Sequence, residues 1–293
     1  MLPIELVLLV AECAAIDQGF INPSWVSSLL TINRLFRTAV TPILYQTLKV
    51  TPGNLQYISG IAERPGNPLY LVRHIVVTIE WSVASFLPHT VTQPMSFICQ
   101  ALSGVRDYTG SEAVLRLLTT QRPNLHFSSI FITHLRGLWV TNPVLYQSPR
   151  LHCVVSYGFD VTWAPIDFPF MPWKTLNAVI DVIDGTPHIS PSLIHLPEFF
   201  RNLERLMDTL VLVERLIVRS RLPGQFHYTL CTNIRAWAAA RQDRRVWLDD
   251  EYMETEDLDE LYCADVRRGH SLWMSGVQMY TGPIGIEQYP TLS

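Results

Sequence analysis

Residues Leu176 to Ile183 read LNAVIDVI. Four of these eight are β-branched, and Asp184-Gly185 follows as a turn signal, so the stretch is a strand with a defined end. Downstream, Pro197–Thr209 has helical spacing and Leu210–Val218, LVLVERLIV, is again strand-like. Upstream, Leu151–Ser156 is a short strand. A strand, a helix and a strand in succession predict an α/β architecture with mostly parallel strands.

Working outward, the same texture extends from about residue 49 to the end of the chain. Val72–Ile79 and Ile130–Val140 are expected strands, with a brief one at Arg245–Leu248. Met95–Leu102, Glu112–Leu118, Thr232–Arg241 and Leu258–Val266 are expected helices. Ala164–Trp173 is proline-rich and expected to be loop, and the tail from Gly282 irregular. The strand-like units centre near residues 75, 135, 153, 179 and 215, too unevenly for a strict repeat period. Yet 133–138, 150–155 and 214–218 are variations on one theme, a polar pair beside a short apolar strand. A degenerate solenoid would be written this way.

The 293 residues are 48 % apolar and 16 % charged, enough to build a large core and unlike a disordered chain. Net charge is −4, with no basic footprint for nucleic acid. Eight carboxylates fall in the twelve residues Asp249–Glu260; such a run is normally solvated, or else meets a basic partner. The five cysteines include no CxxC pair, and no Asn-x-Ser/Thr sequon occurs apart from one blocked by Pro23. These features point to a reducing compartment, cytoplasmic or nuclear.

The most apolar stretch is Leu2–Ile16, LPIELVLLVAECAAI. It is shorter than the about 20 residues of a membrane span, holds Glu5 and Glu12, and is preceded by no Lys or Arg, so neither a span nor a signal peptide is expected. It reads as a helix, with Leu6, Leu9, Val10 and Cys13 at helical spacing. A second helix is expected from an N-cap at Ser24 through Val40 and is ended by Pro42, and Thr51-Pro52-Gly53 makes a turn.

Leu2-Pro3-x-Glu5-Leu6-x-x-x-Val10 resembles the opening of an F-box motif. Leu29-x-x-Ile32-Asn33-Arg34-x-Phe36-Arg37-x-Ala39-x-x-Pro42-x-Leu44-Tyr45-x-x-Leu48 resembles its second half. The rest of the chain is more loosely similar to fungal F-box-like proteins with irregular leucine-rich-repeat-like regions. This resemblance implies a helical module at 1–48 and a target-binding α/β solenoid with mostly parallel strands at 49–293. It also implies two partners: the small adaptor subunit of a cullin-type ubiquitin ligase, and an unnamed target protein. The implied adaptor-binding face comprises Leu2, Pro3, Leu6, Val10, Leu29, Ile32, Phe36, Pro42 and Leu44. The alternative is an α/β interaction scaffold with no ligase link, whose first helices complete the core. Of 22 basic residues only Lys49 and Lys174 are lysines. That suits a protein held beside a ubiquitin-charged enzyme, and is equally what an arginine-rich codon usage produces.

Enzyme signatures are absent from the sequence: there is no GxSxG, P-loop, HExxH or GxGxxG. No catalytic residue, cofactor, metal or small-molecule substrate is therefore expected. Asp181 and Asp184 lie where carboxylates of α/β enzymes often sit, but near a glycine they read as turn formers. His188 and His195 flank a segment whose spacing suits no metal site, and Cys153 reads as a core thiol. Trp139, Trp163, Phe168, Phe170 and Trp173 form either a binding patch or a buried cap.

Overall fold

The computed structural model describes residues 3–19, 22–78, 89–133, 143–157, 174–184, 196–209, 212–252, 265 and 269–281. The protein is α/β, with nine strands and eight α-helices among these residues, and all but one strand pairing is parallel. It divides into two compact units, residues 1–134 with 142–148, and 135–141 with 149–293.

The first unit begins with three helices, α1 (Ile4–Gln18), α2 (Pro23–Leu29) and α3 (Arg34–Leu44). α1 packs on α2 and α3, and α2 packs on α3. The second of the two expected helices is thus broken in two. Asn33 breaks it, because its extended backbone leaves the helix while its side chain accepts a hydrogen bond from the Phe36 N–H at 3.0 Å. Asn22, not Ser24, caps α2, accepting from the Trp25 N–H, and Pro23 fills the first helical position. Pro42 does not end α3. It lies in the last turn, where the bond it removes is one of few remaining.

Four parallel strands follow: β1 (Thr47–Val50), β2 (His74–Val77), β3 (Asp107–Gly110) and β4 (Ser129–Ile132), paired in chain order. Between them run α4 (Leu55–Ala62), α5 (His89–Ala101) and α6 (Glu112–Gln121); α4 packs on α5, and α5 on α6. Strands β1 and β3 have no counterpart in the sequence expectations. TLKV and DYTG are only four residues long, and Asp107 and Gly110 are poor strand formers. The expected strand Ile130–Val140 is described only to Thr133 and begins one residue earlier.

The second unit holds β5 (Arg150–Tyr157), β6 (Asn177–Asp184), α7 (Leu196–Thr209), β7 (Arg215–Ser220), α8 (Gly224–Arg241), β8 (Val246–Asp249) and β9 (Val277–Gln278). β5 to β8 pair in parallel in chain order, and β9 closes the edge of β8 antiparallel. β7 lies downstream of its expected place, Leu210–Val218. Leu212 is exposed, and the strand carries on through Arg219 and Ser220. α8 begins eight residues before the expected Thr232, directly after Pro223.

Side chains alternate across this sheet. His152, Val179, Ile217 and Trp247 share one row, and Val154, Asp181, Arg219 and Asp249 share the next row on the same face. The intervening residues on the other face are apolar: Leu151, Cys153, Val155, Ala178, Ile180, Val182, Leu216, Val218, Val246 and Leu248. α8 packs on β7 and β8. A 3-10 turn at Gly269–Met274 crosses the mixed face, where Leu272 and Trp273 join Val179, Ile217 and Trp247 in one core cluster. Gly276 then turns the chain into β9 with φ +84°, and a Cβ there would stand 2.8 Å from the Leu248 carbonyl oxygen. Gly276→Ala should therefore cost more than about 1 kcal/mol, through both the left-handed backbone and the clash. A urea titration of the two proteins, read by circular dichroism, checks this.

Candidate functional site

α1 is apolar over most of its circumference, with Glu5 and Glu12 seven residues apart on one side and Asp17 in the last turn. Its inner face centres on small residues, with Val7 and Leu8 half-buried beside them. Ala11 and Ala15 are buried, and Ala15 joins Val26 and Val40 in the module's core with Leu29, Leu30, Ile43 and Leu44 packed around them. Its opposite face, Leu6, Leu9, Val10, Cys13 and Ile16, recurs at helical spacing and is exposed. Val10 is 64 % exposed. Trp25, Ile32 and Leu35 add further exposed apolar groups from α2 to α3.

Of the residues expected to meet an adaptor, Pro3, Leu6, Val10, Ile32 and Pro42 are exposed. Leu29 and Leu44 are half-buried in the module's own core, and Phe36 is buried. Leu2 lies outside the described residues. Leu9, Cys13, Ile16 and Leu35 belong to the exposed set without having been among the expected contacts. The signal for the first three was their spacing of three, seven and ten residues from Leu6, which returns to one helix face.

The second unit contains a cluster of charge that sequence reading did not assemble. Asp181 is not a turn former: it lies inside β6, on the mixed face of the sheet, and is buried. Arg219 on β7 donates from Nε to Asp181 Oδ1 and from Nη2 to Oδ2, both at 2.6 Å. It also donates from Nη1 and Nη2 to Asp265 at 2.9 and 2.7 Å. His152 on β5 donates from Nε2 to Asp181 Oδ2 at 2.7 Å, and its ring meets Trp273 edge-on. His152, Asp181, Arg219 and Asp265 are all buried. Because His152, Arg219 and Asp265 stand 29 to 84 residues from Asp181 in the chain, no short motif links them.

Burial alone would raise the Asp181 carboxyl, but Arg219, His152 and Arg221 hold it well below the usual carboxylate range. Burial lowers the His152 imidazole more than Asp181 raises it, so the ring stays neutral. Burial would discharge Arg219, but its two aspartates keep it charged. His152, Asp181 and Asp265 present donor atoms within 4.8 Å of one another, a spacing a metal ion could use. The Arg219 guanidinium already stands among them and supplies the cation, so these residues do not fit a metal. The arrangement is an ion-pair clamp between three strands and the segment at Asp265.

Burial pushes the Cys153 thiol up, in keeping with a core residue. Asp184 ends β6. At the start of the acidic run, Asp249 is buried in β8, and Asp250 pairs with Arg235; residues 253–260 lie outside the described residues. So do His188, His195, Trp139, Trp163, Phe168, Phe170 and Trp173. Among the described residues, no helix is long and apolar enough to cross a membrane.

No protein-family model, curated protein or solved structure matches the chain.

Two outcomes follow from the clamp. Arg219→Met removes the cation shared by two buried carboxylates, leaving Asp181 with only His152 and the looser Arg221 contact, and should cost about 3–5 kcal/mol of stability in chemical denaturation. On the pH axis, His152 is lowered and His74, half-buried beside Thr109 in the first unit, is lowered to about 4. The unfolded chain takes up these protons near 6.5, so their contribution is complete above that pH and is lost as pH falls towards 4. Denaturation between pH 8 and 4 should show this slope, and His74→Asn should flatten it.

Proposed function

We propose that the chain is a non-enzymatic adaptor of F-box type. In this reading the N-terminal helices hold the small adaptor subunit of a cullin-type ubiquitin ligase, and the α/β region holds a target protein. The observation that carries it is the exposed apolar stripe Leu6, Leu9, Val10, Cys13 and Ile16 on the outer face of α1. Placing such a stripe in water is costly, at roughly 25 cal/mol per Å² of apolar surface left uncovered, and a helix-in-groove contact removes that cost. Its position within the residues that resemble an F-box names the occupant.

The target-binding part of the reading rests on strand order. In each unit, consecutive strands pair in parallel, apart from β9, which runs antiparallel to β8. Right-handed crossovers in that order place the connecting helices on one side and leave the other sheet face for contacts. A leucine-rich-repeat-like solenoid is built this way, and its exposed sheet face is the natural place for a target. In the first unit, that face carries a half-buried polar row, Thr47, His74, Asp107 and Ser129, and a second row in which Lys49 is half-buried and Val76, Thr109 and Phe131 are buried; the other face carries the buried Ile75, Tyr108 and Ile130.

The alternative, a scaffold whose first helices complete its core, expects the outer face of α1 to be sealed. The exposure of Leu6 and Val10 favours docking over that alternative. Phe36 is buried, and its replacement would test folding as much as binding. The double substitution Leu6→Asp/Val10→Asp is the cleaner probe, since both side chains are exposed. Co-purification of the full chain with the ligase adaptor subunit should succeed for the wild type. It should weaken about 100-fold or more in the double variant, given about 1.5 kcal/mol or more for each buried aliphatic anchor, while circular dichroism stays unchanged. A folded wild type that captures no adaptor would overturn the proposal.

A further inference from the structure

Arg221 follows β7 immediately, two residues beyond Arg219 and on the same face of the sheet. Its backbone N–H continues the ladder to the Val182 carbonyl at 2.8 Å, so the residue is held at the carboxyl ends of β6 and β7. The side chain is only 5 % exposed.

The two arginines differ in one respect. Arg219 fills its Nε/Nη2 edge with both oxygens of Asp181 and its Nη1/Nη2 edge with both oxygens of Asp265. Arg221 presents the same Nε/Nη2 edge, also buried, and neither nitrogen has a hydrogen-bond partner. Nε lies 3.4 Å from Asp181 Oδ1 as an ion-pair contact without hydrogen-bond alignment. Asp181 already accepts three hydrogen bonds, two from Arg219 and one from His152, which leaves it little capacity for a second arginine. Buried guanidinium donors are rarely left without partners, because removing them from water uncompensated is costly.

We propose that the Nε/Nη2 edge of Arg221 is the recognition element of a site for a small oxyanion, a free carboxylate or phosphate. Two parallel N–H groups of fixed spacing match two oxygens of such an anion, as Arg219 shows on Asp181. Enclosure of the edge restricts the occupant to an ion small enough to be surrounded, and excludes the flat surface of a second protein. This site goes beyond the adaptor reading and does not depend on it.

The test uses the full chain at pH 7.5 and constant ionic strength, with chloride replaced stepwise by acetate in one series and by phosphate in another. The wild-type unfolding midpoint should rise saturably with one of the two anions, by roughly 5 °C at about 100 times the Kd, and calorimetric titration of the same anion should show one site. Arg221→Lys keeps the charge but loses the planar fork, and should bind at least 10-fold more weakly. Arg221→Met should not respond. Acetate and phosphate arms identify which ion the site prefers. A wild type without a saturable response to either anion overturns the proposal, and so does a rise shared equally by wild type and Arg221→Lys, which would be a general salt effect. Should Arg221→Met fail to fold, the wild-type titration and the lysine variant still decide.

Discussion

A guanidinium removed from water must be surrounded by acceptors, and the second unit is organised around that requirement at Arg219. Two carboxylates meet it edge-on, one from the neighbouring strand and one from Asp265 far along the chain. The same carboxylate that holds Arg219 also receives His152 from the strand beyond. Three parallel strands and a distant segment are therefore joined by groups that can be neither moved apart nor individually removed without stranding a charge. Whatever the contribution to stability, the clamp makes one register of β5, β6 and β7 far better than any slipped one, since a one-residue slip would turn each charge onto the apolar face.

Around the clamp, the mixed face of the sheet is closed by aromatic and cationic contacts. Trp273 meets His152, Arg150 lies over Trp273, and Arg215 lies over Trp247 while donating to the Ser275 carbonyl. The segment that carries Leu272 and Trp273 then supplies β9, which pairs with β8 and leaves no parallel edge open there. The helical module in the first unit follows the opposite logic. Its core is built from Ala15, Val26 and Val40, small and compact, while Leu6, Leu9, Val10 and Ile16 of α1 are exposed. One part of the chain buries charge and neutralises it internally. The other leaves apolar side chains of α1 exposed.

Legibility in the sequence tracked how local the determining physics was. β5, β6 and α7 were readable because β-branched runs and apolar spacing set them within eight to fourteen residues. α1 and α6 were readable for the same reason. β1 and β3 were not, since four residues of mixed character become strands only by pairing with neighbours. The break between α2 and α3 was visible in principle: Asn33 stands three residues before the amide it caps, but the continuous apolar pattern across it spoke for one helix. Asp181 was singled out as a carboxylate at a strand end, and its place in mid-strand, facing an arginine, became apparent only with register.

The sequence by itself determined the α/β class, the parallel habit of the strands and the apolar character of the first helix, because each of these is written in composition and short-range periodicity. Only the tertiary structure decided which side of that helix is left open and which charges share a burial. Both depend on contacts between residues tens of positions apart, such as Ala15 with Val40, or Asp181 with Arg219. Their free energies come from proximity that the chain acquires on folding, and no local pattern encodes it.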